Sequence, residues 1–147
     1  MPSFTHSLNI IARCTLMERG DKLKEYGLCG GQVPYLLRLC RCPGLSQEEI
    51  ARALYLNKSS VARQIASLER LGFVRREPDS QDRRKLLVYP TEKALNLLNE
   101  VKKTVHGWND YLLDGLSEPE RKNLESVMEQ IALRAKNYID DEVGWDG

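Results

Sequence analysis

No apolar run in this chain approaches the roughly 18 residues of a membrane-spanning helix, so no span is expected. The opening residues, Met1-Pro2-Ser3-Phe4-Thr5-His6-Ser7, lack both a basic n-region and the apolar core of a secretory signal. The expectation is a cytoplasmic protein without membrane contact. There is no internal repeat and no low-complexity linker. Cysteine and histidine are scarce: Cys14, Cys29, Cys40 and Cys42, with His6 and His106 far apart. Cys40-x-Cys42 has no second Cys/His pair at ligand spacing, which argues against a zinc site, and no metal or cofactor is expected. In a cytosolic chain the four thiols are expected to be reduced. One reading buries them as small apolar groups. The other makes Cys14 a redox-sensing thiol, because Arg13 and Arg19 share its helix and can lower a thiol pKa. Nucleophile–base pairs and phosphate loops are also missing, since Gly30-Gly31 alone is no phosphate-binding signature. The sequence therefore does not read as an enzyme.

An excess of charge is absent as well. Twenty-two basic and 21 acidic residues leave a net charge of +1. The distribution is what carries information. Between Lys58 and Lys85 stand Lys58, Arg63, Arg70, Arg75, Arg76, Arg83, Arg84 and Lys85, against Glu69, Glu77, Asp79 and Asp82. Eight minus four gives +4 for this segment and −3 for the remainder, so a polyanion is drawn to one stretch of the chain.

At 147 residues the chain can bury one proper core. A helical pattern runs from about Ser7 to Tyr26, with Leu8, Ile11, Thr15, Leu23 and Tyr26 near one stripe, and Gly27-Leu28 reads as its end. A second helix is expected from Gly31 or Gln32 to about Cys40. Pro34 lies in its first turn, and Val33, Leu36, Leu37 and Cys40 face inward. Pro43-Gly44 breaks the chain. Ser46-x-x-Glu49 is a capping box that opens a third helix with Ile50, Ala51 and Leu54 on its buried face. Asn57 caps a fourth helix to about Leu71. Its apolar residues Val61, Ile65, Leu68 and Leu71 share one side, leaving Lys58, Ser60, Arg63, Gln64 and Ser67 on others. Such a face carries the donors and acceptors that read base edges.

After Gly72, Phe73 to Pro78 reads as a strand, Asp79 to Asp82 as a turn and Lys85 to Tyr89 as the return strand. The hairpin tip, Asp79 to Arg84, ends in two arginines. Thr91 caps a long fifth helix whose Ala94, Leu98, Val101, Val105, Trp108 and Leu112 recur at heptad-type spacing. Gly115 marks its end. Ser117-Glu118-Pro119-Glu120 opens a sixth helix with Leu124, Val127, Ile131, Ala135 and Tyr138. The tail Asp140-Asp141-Glu142 is acidic, and Val143 to Gly147 is expected to fray. Two short helices followed by a basic hairpin make a winged helix-turn-helix. The fold class is mainly α with a small β-wing and six helices.

This order of elements resembles the multiple antibiotic resistance regulator (MarR) family of bacterial transcription factors. The most specific local match is Asp82-Arg83-Arg84, followed by alternating apolar residues and then Pro90-Thr91-Glu92-Lys93-Ala94. The family usually reads Asp-x-Arg, a strand, then Leu-Thr-x-x-Gly, so Pro90 and Ala94 are departures. The block Leu68-Glu69-Arg70-Leu71-Gly72-Phe73-Val74-Arg75-Arg76 fits the end of the family's recognition helix.

The resemblance implies an intertwined homodimer, closed by its N- and C-terminal helices, on the double-stranded DNA of a pseudo-palindromic operator. Residues 1–30 would then be an N-terminal dimerisation helix, 31–90 the DNA-binding domain, and 91–147 C-terminal dimerisation helices. The alternative packs the stripes of the last two helices inside a monomer. Ser60, Arg63 and Gln64 are expected to face the major groove, with Arg63 reading a guanine. Ser46, Gln47, Lys58 and Ser59 stand near helix N-termini and are assigned to phosphates. Arg84 matches the Arg of Asp-x-Arg and is assigned to the minor groove. Asp82 orients the wing, and Arg83 and Lys85 add phosphate contacts. The family also implies a repressor released by an aromatic or carboxylate effector, for which Arg13, Tyr35 and Arg38 are the candidates. A thiol-based redox regulator and a winged helix used only for protein contacts are the other readings, though the second leaves the basic tip without a role.

Overall fold

The computed structural model describes residues 1–144, so Trp145 to Gly147, the last part of the expected frayed end, lie outside the described residues. Six α-helices and three short strands follow one another. They are α1 Phe4–Leu23, α2 Val33–Arg41, β1 Leu45–Ser46, α3 Gln47–Leu54, α4 Lys58–Arg70, β2 Val74–Pro78, β3 Leu86–Pro90, α5 Glu92–Leu112 and α6 Glu118–Tyr138. Most starts are set by local chemistry. The hydroxyls of Ser3, Ser46, Thr91 and Ser117 and the amide oxygen of Asn57 each accept the N–H three residues on. Ser46/Glu49 and Ser117/Glu120 are reciprocal capping boxes. Pro34 and Pro119 fall in first turns, where an N–H is not needed.

The sheet is three-stranded rather than the expected hairpin, with the order β1-β3-β2 and both pairs antiparallel. Leu45 pairs with Val88 and Ser46 with Leu87, so the residue that caps α3 is also tied to the centre of the wing. Phe73, expected to begin a strand, instead turns inward beside the C-terminus of α4 and is fully buried; the strand starts at Val74.

One core fills the space between α2, α3, α4, the sheet and the first half of α5. Its members include Leu36, Leu39, Ile50, Val61, Ile65, Leu68, Phe73, Val88 and Val101. In α2 the inward face is Val33, Tyr35, Leu36 and Leu39, while Leu37 and Cys40 are only half-buried. The expected face is thus rotated toward Tyr35 and Leu39, and a 3₁₀ turn at Gly30–Gln32 feeds the helix. That turn lies against α1: a Cβ on Gly30 would stand 2.1 Å from the Leu16 carbonyl oxygen. Gln32 is buried there. Its Oε1 accepts the Cys29 N–H and its Nε2 donates to Ser67 Oγ on α4 at 3.2 Å.

The heptad stripe of α5 divides. Ala94 and Val101 are buried, Leu98, Val105 and Trp108 are half-buried, and Leu112 is exposed. Leu97, outside the stripe, joins the core. Trp108 Nε1 donates to Thr15 Oγ1 at 2.8 Å, joining α5 to α1. α6 has 21 residues and buries none of them. Leu124, Val127, Leu133 and Tyr138 are exposed along it, as are Phe4, Ile11 and Met17 on α1. Ile11, placed on the inward stripe of the first helix by its spacing, therefore points to solvent in the single chain.

Candidate nucleic-acid interface

Helix α4 presents a polar face because its apolar residues are all committed to one side. At 100° per residue, Ser59, Ser60, Arg63 and Gln64 fall on an arc of roughly 140°, opposite Val61, Ile65 and Leu68. The last three are completely buried. Lys58, Ser59 and Arg63 are exposed, and Ser60 and Gln64 are half-buried. Asn57 organises the first turn: its Oδ1 accepts the Ser60 N–H at 2.7 Å and the Ser59 hydroxyl at 2.9 Å. Arg63 donates to Ser60 Oγ at 3.2 Å and is in no ion pair among the described residues. The most specific donor on this face is held by a hydroxyl, which it can exchange for a base edge.

The wing stands beside α3. A groove of about 500 Å³ separates them, lined by Ser46, Gln47, Arg76, Asp82, Arg84 and Lys85 among others. At the tip, Asp82 Oδ1 accepts the Arg84 backbone N–H at 3.1 Å and lies 3.6 Å from Arg84 Nε. The Arg84 side chain is 95% exposed, so this pair aims it without tying it down. Arg83 is exposed beside it.

Two members of the expected set are otherwise engaged. Ser46 is buried; its hydroxyl accepts the Glu49 N–H, its own N–H reaches Glu49 Oε2, and its backbone pairs with β3, so its polar groups are already engaged in building the groove and are not held out for a phosphate. Lys85 is held by Glu49 at 3.2 Å, bracing the wing against α3. Lys58 lies 3.5 Å from Glu48, an exposed pair that a phosphate can displace. Gln47 is half-buried at the first position of α3, its Oε1 3.4 Å from Arg76.

The wing's main brace was not legible in the sequence. Arg76 makes a two-pronged contact with Glu69 of α4, at 3.1 and 2.8 Å. Arg75 pairs with Glu77 and lies over the Tyr89 ring at 4.7 Å. At the C-terminus of α4, Lys93 donates to the Leu71 carbonyl and Thr91 to the Gly72 carbonyl, both at 2.6 Å. The sequence counts the cations of this segment as available to a polyanion. Pairing withdraws Arg75, Arg76 and Lys85, and leaves Arg63, Arg70, Arg83 and Arg84 as its most accessible positive groups.

Bonding to Arg76 holds the Glu69 carboxyl below its ordinary value, and the Ser46 N–H, with help from Lys85, does the same for Glu49. Depressed carboxylate pKa values stabilise the fold above the ordinary glutamate value and lose that contribution as pH falls below it. Urea unfolding of the wild type should therefore weaken steadily from about pH 5 downward. Glu49→Gln/Glu69→Gln should be less stable at neutral pH and flatter through the acid range. An unchanged acid slope would remove these braces from the account.

Arg13, Tyr35 and Arg38 do not converge. Arg13 is exposed on α1, Tyr35 is buried in the core, and Arg38 lines a separate shallow groove with Pro34, Leu37, Arg41 and Leu54. The cysteines depart from the buried reading too. All four are free, Cys14 and Cys29 are exposed and the other two half-buried, and burial raises the Cys40 thiol pKa despite Lys102 nearby.

Residues 26–85, from the end of the first helical segment to the lysine that follows the two wing-tip arginines, match the sequence model of the MarR family. A MarR transcriptional regulator of Methanosarcina mazei Go1 is 30% identical, over 88% of this chain and 93% of its own, with a TM-score of 0.85. The chain belongs to the MarR family. It is accordingly a helix-turn-helix transcriptional regulator. The HTH-type transcriptional regulator YybA of Bacillus subtilis is 25% identical over 131 residues, covering 89% of this MarR-family chain and 87% of YybA. A MarR-family regulator of Listeria monocytogenes, solved in complex with a 26-mer DNA, shares the fold, with a TM-score of 0.87, 24% identity and 97% coverage of both chains.

Proposed function

We propose that this regulator binds double-stranded DNA as a homodimer on a pseudo-palindromic operator, with α4 in the major groove and Arg84 in the minor groove. The observation that carries the reading is the pairing of an apolar-backed Ser59/Ser60/Arg63/Gln64 face with an exposed, carboxylate-aimed Arg84 on the adjacent wing. Residues 31–90 form the reader. Residues 1–30 and the chain from 91 onward supply the dimer. Support for the dimer comes from α6, a helix with no buried residue, and from the apolar side chains it and α1 leave exposed. An unpartnered helix is marginal in water. Glu18 Oε2 and Arg19 Nε on α1 are buried without a hydrogen-bond partner among the described residues, and burial lowers the Arg19 pKa. A second copy is the natural source of what they lack. Lys58, Ser59 and Gln47 take phosphates, and Arg83 adds to them.

The action is repression by occupying a promoter, released by a small aromatic or carboxylate molecule. The cleft of about 370 Å³ between α2 and α5, where Arg41, Lys102 and His106 surround Leu37, Leu98 and Val105, fits such a ligand better than the scattered Arg13, Tyr35 and Arg38. The test begins with duplexes selected from a randomised pool by the wild-type protein. Arg84→Ala should bind the best duplex about tenfold or more weakly, with a salt slope shallower by nearly one unit per lost phosphate-level contact. Unchanged affinity and slope would remove Arg84 from the groove. Benzoate added to the same assay probes release.

A further inference from the structure

Just past the end of α6, at Asp140, the chain returns to the reader. Tyr55 Oη donates to the Asp140 carboxylate, 3.0 Å from Oδ2 and 3.2 Å from Oδ1. Lys136 Nζ lies over the Tyr55 ring, 5.9 Å from its centroid. Tyr55 occupies the turn between α3 and α4. It is the C-terminal cap of α3, two residues before the Asn57 that caps the recognition helix.

Its backbone is the notable part. Tyr55 has φ 53° and ψ 45°, and it is the one non-glycine residue with positive φ among the described residues. Glycine or asparagine ordinarily takes such a cap, because a Cβ is disfavoured there. A large side chain kept at a strained position points to a task for that side chain. The only polar partner its hydroxyl has among the described residues is Asp140, 85 positions away in sequence.

We propose that Tyr55, Lys136 and Asp140 form a clasp that fixes the recognition helix against the last turn of α6 and the residues just after it, and so sets the angle at which each reader meets DNA. This rests on the DNA-reading function above. α6 buries no residue of its own, and among the described residues its other polar tie to the body is Arg121 to Asp110 at 3.1 Å near its start. From Arg121 to Tyr138 the helix runs about 25 Å. Without the clasp, α6 keeps only that polar tie near its start among the described residues, and the reader loses its hydrogen bond to Asp140, two residues past the end of the helix. Tyr55 acts as a positioning residue: it touches α6, not DNA. In a homodimer, two readers at a fixed angle recognise half-sites at one preferred separation, so the clasp is a determinant of half-site spacing.

The experiment compares the full-length wild type with Tyr55→Phe, Asp140→Ala and Asp140→Asn. The last keeps a hydrogen-bond acceptor and serves as the conservative rescue. The probes are the best duplex selected by the wild type and the same duplex with one base pair inserted or removed between half-sites. Tyr55→Phe and Asp140→Ala should each lose at least threefold of the wild type's preference for the native spacing. The double variant should be no worse than either, and Asp140→Asn should keep wild-type behaviour. Without any DNA, backbone amides of residues 55–60 should exchange hydrogen at least threefold faster in the first two variants and not in Asp140→Asn. Unchanged exchange and unchanged spacing preference in Tyr55→Phe would overturn the clasp while leaving the DNA reading intact. Failure of the wild type to select any duplex would overturn the DNA reading, and the role in spacing with it.

Discussion

Gly30→Ala should destabilise the protein by about 3 kcal/mol or more, at or beyond the upper end of what overpacking ordinarily costs. The added Cβ would lie 2.1 Å from the Leu16 carbonyl oxygen, 2.8 Å from its carbon and 2.9 Å from its Cα. All three are backbone atoms in the middle of a 20-residue helix, so no side chain can swing aside. Either α1 shifts, or the 3₁₀ turn that launches α2 does. Both alternatives disturb buried groups: Leu23 and Leu28 on one side, Val33 and Gln32 on the other. Gly31→Ala is the matched control, since its Cβ meets nothing within 4 Å, and it should stay within about 0.5 kcal/mol of wild type. Gly20→Ala is also expected to be mild, its nearest neighbour being the Gly30 nitrogen at 3.6 Å. Urea unfolding of the three variants checks the ranking. A Gly30→Ala protein as stable as Gly31→Ala would mean that α1 does not cross the turn in backbone contact. Because α1 reaches the reader through this crossing, the variant should also lose DNA binding in proportion to its unfolded fraction.

The second large effect concerns recognition. Arg63→Ala should reduce affinity for the selected duplex by at least about 30-fold, since a bidentate arginine–guanine contact is worth ~1–3 kcal/mol and a homodimer makes it twice. Its stability should change little, because the side chain is exposed and bonded only to Ser60 Oγ. Affinity for random DNA should fall far less, so specificity declines along with strength. Arg63→Lys should not restore it, because an ammonium lacks the planar fork that fits guanine. Fluorescence anisotropy with selected and random duplexes separates this from Arg84→Ala, where the loss carries a change in salt slope. Retention of the full preference for the selected duplex in Arg63→Ala would take that residue off the base edges.

What was legible in the sequence is what local chemistry decides. Ser46 with Glu49, Ser117 with Glu120, Asn57 and Thr91 each announce a helix start through partners three residues away, and each start stands where expected. The polar face of α4 was legible for the same reason: Val61, Ile65 and Leu68 recur at helical spacing. Contacts that join distant segments left no such mark. β1 has only two residues after a Pro-Gly break, with its partners more than 40 positions on. Arg76 with Glu69 and Lys85 with Glu49 looked like independent charges until the fold brought each pair together. The α2 face differs from its spacing pattern because Tyr35 and Leu39 fill the core while Leu37 and Cys40 line a groove against α5, a choice that composition alone does not make. Tyr55 gave no sequence signal, since a tyrosine at a helix end looks like any other aromatic until its backbone angles and Asp140 are seen together.

The pairing of Leu45 and Ser46 with β3 has a consequence for how this chain can tolerate insertions and deletions. The wing tip is an exposed turn whose hydrogen bonds stay within residues 79–85: Asp79 N–H to the Lys85 carbonyl at 2.8 Å, Lys85 N–H to the Asp82 carbonyl at 3.0 Å, and the Gln81 and Arg84 N–H to the Asp79 and Asp82 carboxylates. Lengthening it by a residue or two would move Arg84 outward and leave the ladder intact. The short passage from Gly44 to Ser46 has no such slack. Gly44 donates its N–H to the Val88 carbonyl at 2.9 Å, Leu45 and Ser46 hold the strand register, and Ser46 at once begins α3. One extra residue there would slip the register by one, so that Ser46 could no longer both pair with Leu87 and cap α3 in the same place. Change in DNA reach is thus available at the loop, while the stretch that joins the wing to the first reading helix is fixed in length.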